Sequence, residues 1–131
     1  QHVSEVILPA LADHKMVLCD RFTDSTLVYQ GAARDLPLRK VQDMTRFAAD
    51  GLKPNITFLL DVDVKKGLSR LKTRDEVNRL DLEPDSFHQK VREGYLALAK
   101  SEPERIHVIN AGMSERRVFI EIRKMIDDLL Q

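Results

Sequence analysis

At 131 residues the chain suits one domain with a single core, and it is too short for two. Lys plus Arg and Asp plus Glu are equal at 21 each, so no surplus charge exists to hold a polyanion by counterion release. Nucleic acid polymers and anionic membranes lose ground as partners, the longest apolar runs are too short to span a bilayer, and the N-terminus does not read as a signal peptide. One cysteine, Cys19, rules out an internal disulfide and a cysteine-built metal site. These features suggest a reduced, cytoplasmic protein.

In chain order, Val3, Val6, Ile7, Ala10 and Leu11 have helical spacing within His2 to Asp13, although Pro9 should kink or shorten that helix. Lys15 to Cys19 reads as a short, fully buried strand, which would make Cys19 a buried structural thiol. Residues 24 to 30 suggest a short helix, and residues 38 to 50 a longer one ending near Gly51. Ile56 to Val62 is the most strand-like run, after a loop punctuated by Pro54. Asp63 is placed to cap a helix on which Val64, Leu68 and Leu71 share a face. A charged stretch follows, Thr73 to Asp85, without clear period.

Phe87, Val91, Tyr95 and Leu98 mark an amphipathic helix, Arg105 to Asn110 a third strand, and Ser114 to Leu130 a last helix. Val118, Ile122, Met125, Ile126 and Leu129 form the apolar stripe of that last helix. Strands separated by helices of this length imply βαβ crossovers and a parallel sheet covered on both faces. Such sheets bind ligands beyond the carboxyl ends of their strands. Attention therefore falls on Asp20 and Arg21, on Asp61 and Asp63, and on Asn110.

Asp20 and Arg21 could simply form an ion pair at a strand end. Arg21, however, offers a planar fork of donors suited to a phosphate, and Asp20 could orient it or hold metal-bound water. Thr26, Tyr29 and Gln30 can share one side of the following helix, with Ser25 beside them. Hydroxyl and amide groups read the edge of a base, whereas an aromatic ring walls off a sugar. Arg70, Arg74 and Arg79 sit in or beside the charged stretch. They are either a solvated face or cations delivered to a phosphoryl group in transfer. The four histidines show no metal-ligand spacing, and no supported Ser-His-Asp order occurs.

Taken in order, VLCDRFTDSTLVYQGAARDL, PNITFLLDVDVKKGLSRL, TRDEVNRLD, FHQKVREGYLALA and RIHVINA resemble the C-terminal two thirds of bacterial thymidylate kinase, over nearly the whole chain. The resemblance implies a P-loop nucleoside monophosphate kinase-like, three-layer α/β/α fold with a parallel sheet. Residues 1–131 would be a partial domain with its lid at about 73–85. The implied reaction moves the γ-phosphoryl of ATP, with magnesium, onto dTMP to give dTDP, in a cytoplasmic homodimer packed through helices.

By the resemblance, Arg21 holds the dTMP phosphate, and Asp20 stands beside it in the phosphate and metal network, reaching metal through water. Ser25, Thr26 and Gln30 fall where the family contacts thymine, and Tyr29 where an aromatic packs on the deoxyribose. Arg74 matches a lid-flanking arginine on adenine, Arg79 a lid arginine that reaches the phosphates, and Ala111 and Gly112 the loop bordering adenine. Phe22 stands where Tyr or His is common. Asp81, on the nucleotide side, stands where Glu is usual and is one methylene shorter.

No G-x-x-x-x-G-K-[ST] occurs, so no glycine-rich loop is present to cradle ATP phosphates. The resemblance implies that the P-loop, its lysine and the strand leading into it lie outside these residues. The chain is expected to be a fragment that holds the acceptor site and lid and is inactive alone. It would have to repair an open sheet seam by closing the gap, dimerising, exchanging elements or binding the missing segment. Two other readings remain: a deoxynucleoside or other nucleotide kinase, and a non-catalytic α/β interaction domain.

Overall fold

A computed structural model of the chain describes residues 1–34, 36–71 and 79–131, with the backbone alone for Ala32. Its contacts gather into two compact units, Gln1–Lys53 and Pro54–Gln131.

The first unit is helical. Helix α1 runs through Val3–Ile7 with π-type bonding and then Leu8–Ala12 with α bonding. Pro9 has no N–H for the carbonyl four residues back, and the turn ahead of it widens so that Leu8 N–H bonds the Val3 carbonyl. The helix ends where His14 takes the left-handed conformation (φ 58°). His14 N–H then bonds Leu11 and Lys15 N–H bonds Ala10, satisfying carbonyls that the last turn leaves over.

Helix α2 has an α segment, Thr23–Thr26, and a π-type segment, Leu27–Ala32, with Ala33 N–H bonding the Val28 carbonyl. Gly31 lets α2 approach α3, Leu38–Ala48, closely: a Cβ there would lie 2.8 Å from Leu38 Cδ1. Helix α3 closes with the same device as α1. Asp50 and Gly51 have positive φ, and their N–H groups bond Phe47 and Arg46. The core of this unit holds Val3, Ile7 and Ala49, with Val17, Phe22 and Leu52 packed against them.

Residues 15 to 19 depart from expectation, because the segment forms no strand. An apolar run becomes a strand only when its backbone groups pair with a neighbour, and no described residue of this unit offers such an edge. Met16 is 57% and Leu18 84% exposed, and Cys19 is an exposed free thiol rather than a buried one.

The second unit carries the parallel sheet. Strand β1, Thr57–Asp61, pairs with β2, Ile106–Asn110, in register from Thr57↔Ile106 to Asp61↔Asn110. Between them run α4, Val64–Leu71, a 3-10 turn, Arg79–Leu82, and α5, Asp85–Ser101. Helix α6, Glu115–Leu129, follows β2. Asp63 Oδ1 accepts the N–H groups of Lys65 and Lys66, the cap expected from its position. Helix α5 packs on both strands, α4 on α5, and α6 on β2.

Phe87, Val91 and Ala99 of α5 are buried, as are Ile106 and Ile109 of β2. The two-sided cover expected of the sheet is incomplete, for Leu60 and Val108 are about half exposed. Arg105, bonded to Glu102 and to Thr57 Oγ1, ties the two strands at their start. Among the described residues no helix is long and apolar enough to cross a membrane.

Ile109 is the most enclosed large side chain, at 1% exposure. Ile109→Ala is expected to cost about 3 kcal/mol, the lost transfer energy plus a cavity that collapses only in part. Urea unfolding measures it; a loss below about 1 kcal/mol would mean the sheet is not the centre of this unit's core.

Candidate functional site

Two groups of side chains gather the polar chemistry, one in each unit. In the first, the irregular segment after α1 ends at Asp20 and Arg21, both exposed. Arg21 has φ 60°, the left-handed region, which costs a branched or long L-residue about 1–2 kcal/mol. That turn sets its guanidinium over the Tyr29 ring, with Cζ 5.6 Å from the centroid, a cation–π distance. Its carbonyl accepts from the Cys19 thiol at 3.4 Å.

Helix α2 starts two residues on, with Ser25 N–H bonding the Phe22 carbonyl. Asp24 is buried there, Ser25 and Tyr29 are half-buried, and Thr26 and Gln30 are exposed. Tyr29 and Gln30 lie on the π-type segment, which shifts their phase relative to Ser25 and Thr26. Such wide turns recur at functional sites. Arg21 and Tyr29 are therefore brought together directly, and the hydroxyl and amide groups follow on the same helix.

In the second unit the carboxyl ends of β1 and β2 lie level. Asp61 makes a two-pronged ion pair with Arg92 of α5, Nε to Oδ1 at 2.7 Å and Nη2 to Oδ2 at 2.9 Å. The Arg92 hydrogen bond holds the Asp61 carboxyl below its ordinary value of 3.8, against the opposing pull of desolvation. A carboxylate with a lowered pKa stabilises the fold above that ordinary value, and the contribution is lost as the pH falls through the lower, folded-state value. Asp61→Asn should therefore flatten the fall of unfolding free energy as the pH drops below about 4. Acid titrations of wild type and variant that run parallel would remove the pair from the acid response.

Beyond β2 the turn Asn110 to Met113 is held from several sides. Ala111 N–H continues the ladder to the Asp61 carbonyl at 2.7 Å, and Gly112 N–H bonds Asn110 Oδ1 at 2.8 Å. Lys66 Nζ donates to the Gly112 carbonyl at 2.8 Å, and Arg70 Nη2 to the Ala111 carbonyl at 3.1 Å. Arg79 opens the 3-10 turn with its side chain exposed, and Asp81 is half-buried in the same turn. Arg74 lies outside the described residues.

Sequence reasoning named Arg70 as a cation of the charged stretch, and the structure turns it onto the turn after β2. It missed Lys66 and Arg92. Lys66 and Arg70 stand four apart on α4, which puts two cations on one helix face, and that spacing was the available signal. Asp61 and Arg92 are 31 positions apart, and no local pattern joins them.

Comparison with known proteins agrees with these motifs. The sequence profile of the thymidylate kinase family matches residues 1–122. A thymidylate kinase of Oenococcus oeni is 46% identical over 133 residues, covering 100% of this chain and 62% of its own length. One of Clostridium novyi is 46% identical over 125 residues, covering 94% of this chain and 61% of its own length. One of Bacillus thuringiensis is 44% identical over 133 residues, covering 99% and 64%. The chain thus spans less than two thirds of the length of these relatives. With its parallel sheet and strand-end chemistry, the chain belongs to the thymidylate kinase family.

Proposed function

We propose that residues 1–131 are the acceptor-site and lid part of a longer thymidylate kinase, which transfers the γ-phosphoryl of ATP to dTMP. The observation that carries this reading is the Arg21 guanidinium set over the Tyr29 ring, with Ser25, Thr26 and Gln30 on the same helix, in a chain of this family. A guanidinium anchored on one face by an aromatic keeps its donor edge free to grip a phosphate in plane. Tyr29 then flanks the sugar, and the hydroxyls and amide meet the thymine edge. Across the transfer, Arg79 adds positive charge at the migrating phosphoryl, with Arg74 and the turn at Ala111 and Gly112 beside adenine. Asp81 lies on the nucleotide side in the same turn as Arg79.

Magnesium would neutralise charge on the donor phosphates. Among the described residues no three His, Cys, Asp or Glu side chains cluster. A single exposed carboxylate such as Asp20 suits contact through water, the way magnesium is commonly held. The phosphate cradle is absent from these residues, so the reading has residues 1–131 alone making no dTDP. A cytoplasmic homodimer is part of the same reading, and the exposure of Phe47 at 90% and Met44 at 72% on α3 supports a covered helix face.

The test is product analysis of the full-length protein with ATP and magnesium, offered dTMP or thymidine. Formation of dTDP from dTMP is expected. Phosphorylation of thymidine with dTMP untouched would move the protein to the nucleoside kinases.

A further inference from the structure

The turn after β2 is built more tightly than a connection between a strand and a helix requires. The N–H groups of its last three residues are all engaged inward: Ala111 with Asp61, Gly112 with the Asn110 side chain, and Met113 with the Asn110 carbonyl at 3.3 Å. Its two central carbonyls are each held by a cation from α4. Hydrogen bonds from a charged donor are about twice as strong as neutral ones. Long side chains on an exposed helix face also lose rotamer freedom when fixed, so such bonds persist where geometry favours them.

We propose that Lys66 and Arg70 are positioning residues for the nucleotide donor: held by them and by Asn110, the turn 110–113 is a preformed wall on which the purine base seats. The proposal rests on the ATP-dependent reading above and deepens it. With the N–H groups of Ala111, Gly112 and Met113 already used, these three residues offer the base van der Waals contact and none of their amides reads its edge. Two further observations fit. Arg70 is the next-to-last residue of α4, so its bond to the Ala111 carbonyl fixes the last turn of that helix to the wall. Gly112 has no room for a Cβ, which would lie 2.8 Å from Asn110 Oδ1 and 3.7 Å from Lys66 Nζ.

Positioning of this kind acts on donor affinity and leaves the acceptor alone. In the full-length protein, Lys66→Met with Arg70→Met is expected to raise the KM for ATP about tenfold. The KM for dTMP and kcat should stay within about twofold. Lys66→Arg should keep most of the ATP affinity, because the donor remains. Gly112→Ala should raise the KM for ATP in the same direction without removing either cation. Amide hydrogen exchange at Gly112 and Met113, read by NMR, should accelerate in the double variant, independently of turnover.

Unchanged exchange at those amides would overturn the clamp itself. Faster exchange with an unmoved KM for ATP would overturn the donor role while dTMP kinase activity stands, and so would equal rises in both KM values. A wild type that phosphorylates nothing with ATP and dTMP would bring down the proposed function and this role together.

Discussion

Arg79→Ala in the full-length protein is expected to lower kcat by about a hundredfold or more while leaving the KM for dTMP nearly unchanged. Arg79 stands exposed at the start of a 3-10 turn, at the far end of the stretch that follows α4. Phosphoryl transfer demands little covalent chemistry from a protein and much positive charge where oxygens gain negative charge. On the proposed reading, a cation carried on such a turn would meet the phosphoryl only as the site closes and water leaves. There its interaction is several times stronger than in bulk solvent. An interaction made chiefly in the transition state appears in kcat and not in acceptor affinity. An unchanged kcat would take Arg79 out of the reaction and return it to a solvated surface.

Arg21→Ala is expected to act on the other substrate. A two-pronged guanidinium–phosphate contact contributes two charge-assisted hydrogen bonds, each about 1.5–3 kcal/mol. Its removal should therefore lower kcat/KM for dTMP by a factor of about a hundred to ten thousand. Arg21→Lys should recover only part of this, since an ammonium does not fork to a phosphate as a guanidinium does. Steady-state kinetics with dTMP varied at saturating ATP measures both variants. A fall in kcat/KM below about fivefold for Arg21→Ala would place the acceptor phosphate elsewhere.

The elements that the sequence announced clearly were those with a complete local signal. Phe87, Val91, Tyr95 and Leu98 named α5, and Asp63 named the cap of α4, because periodicity and capping act within one turn. Residues 15 to 19 failed for the opposite reason. Their apolar run fits a buried strand, yet a strand is a property of a pair, and the segment forms no regular element, with Leu18 open to solvent.

The candidate site divides along the same line. Arg21 and Tyr29 were singled out from residue type and spacing, but their cation–π contact comes with a positive φ at Arg21 that no propensity foretells. The Asp61–Arg92 pair and the hold of Lys66 and Arg70 on the turn at 110–113 arise from βαβ geometry. They bring together residues 31 to 46 positions apart, distances at which sequence pattern is silent.

The proposed grip of Arg21 on the phosphate of a deoxynucleotide is most directly measured by calorimetry of dTMP and thymidine on the wild-type and Arg21→Ala full-length proteins. Wild type is expected to prefer dTMP over thymidine by about a hundredfold, and the variant to bind the two alike. A variant that keeps the full preference for dTMP would contradict the assignment of Arg21 to the acceptor phosphate.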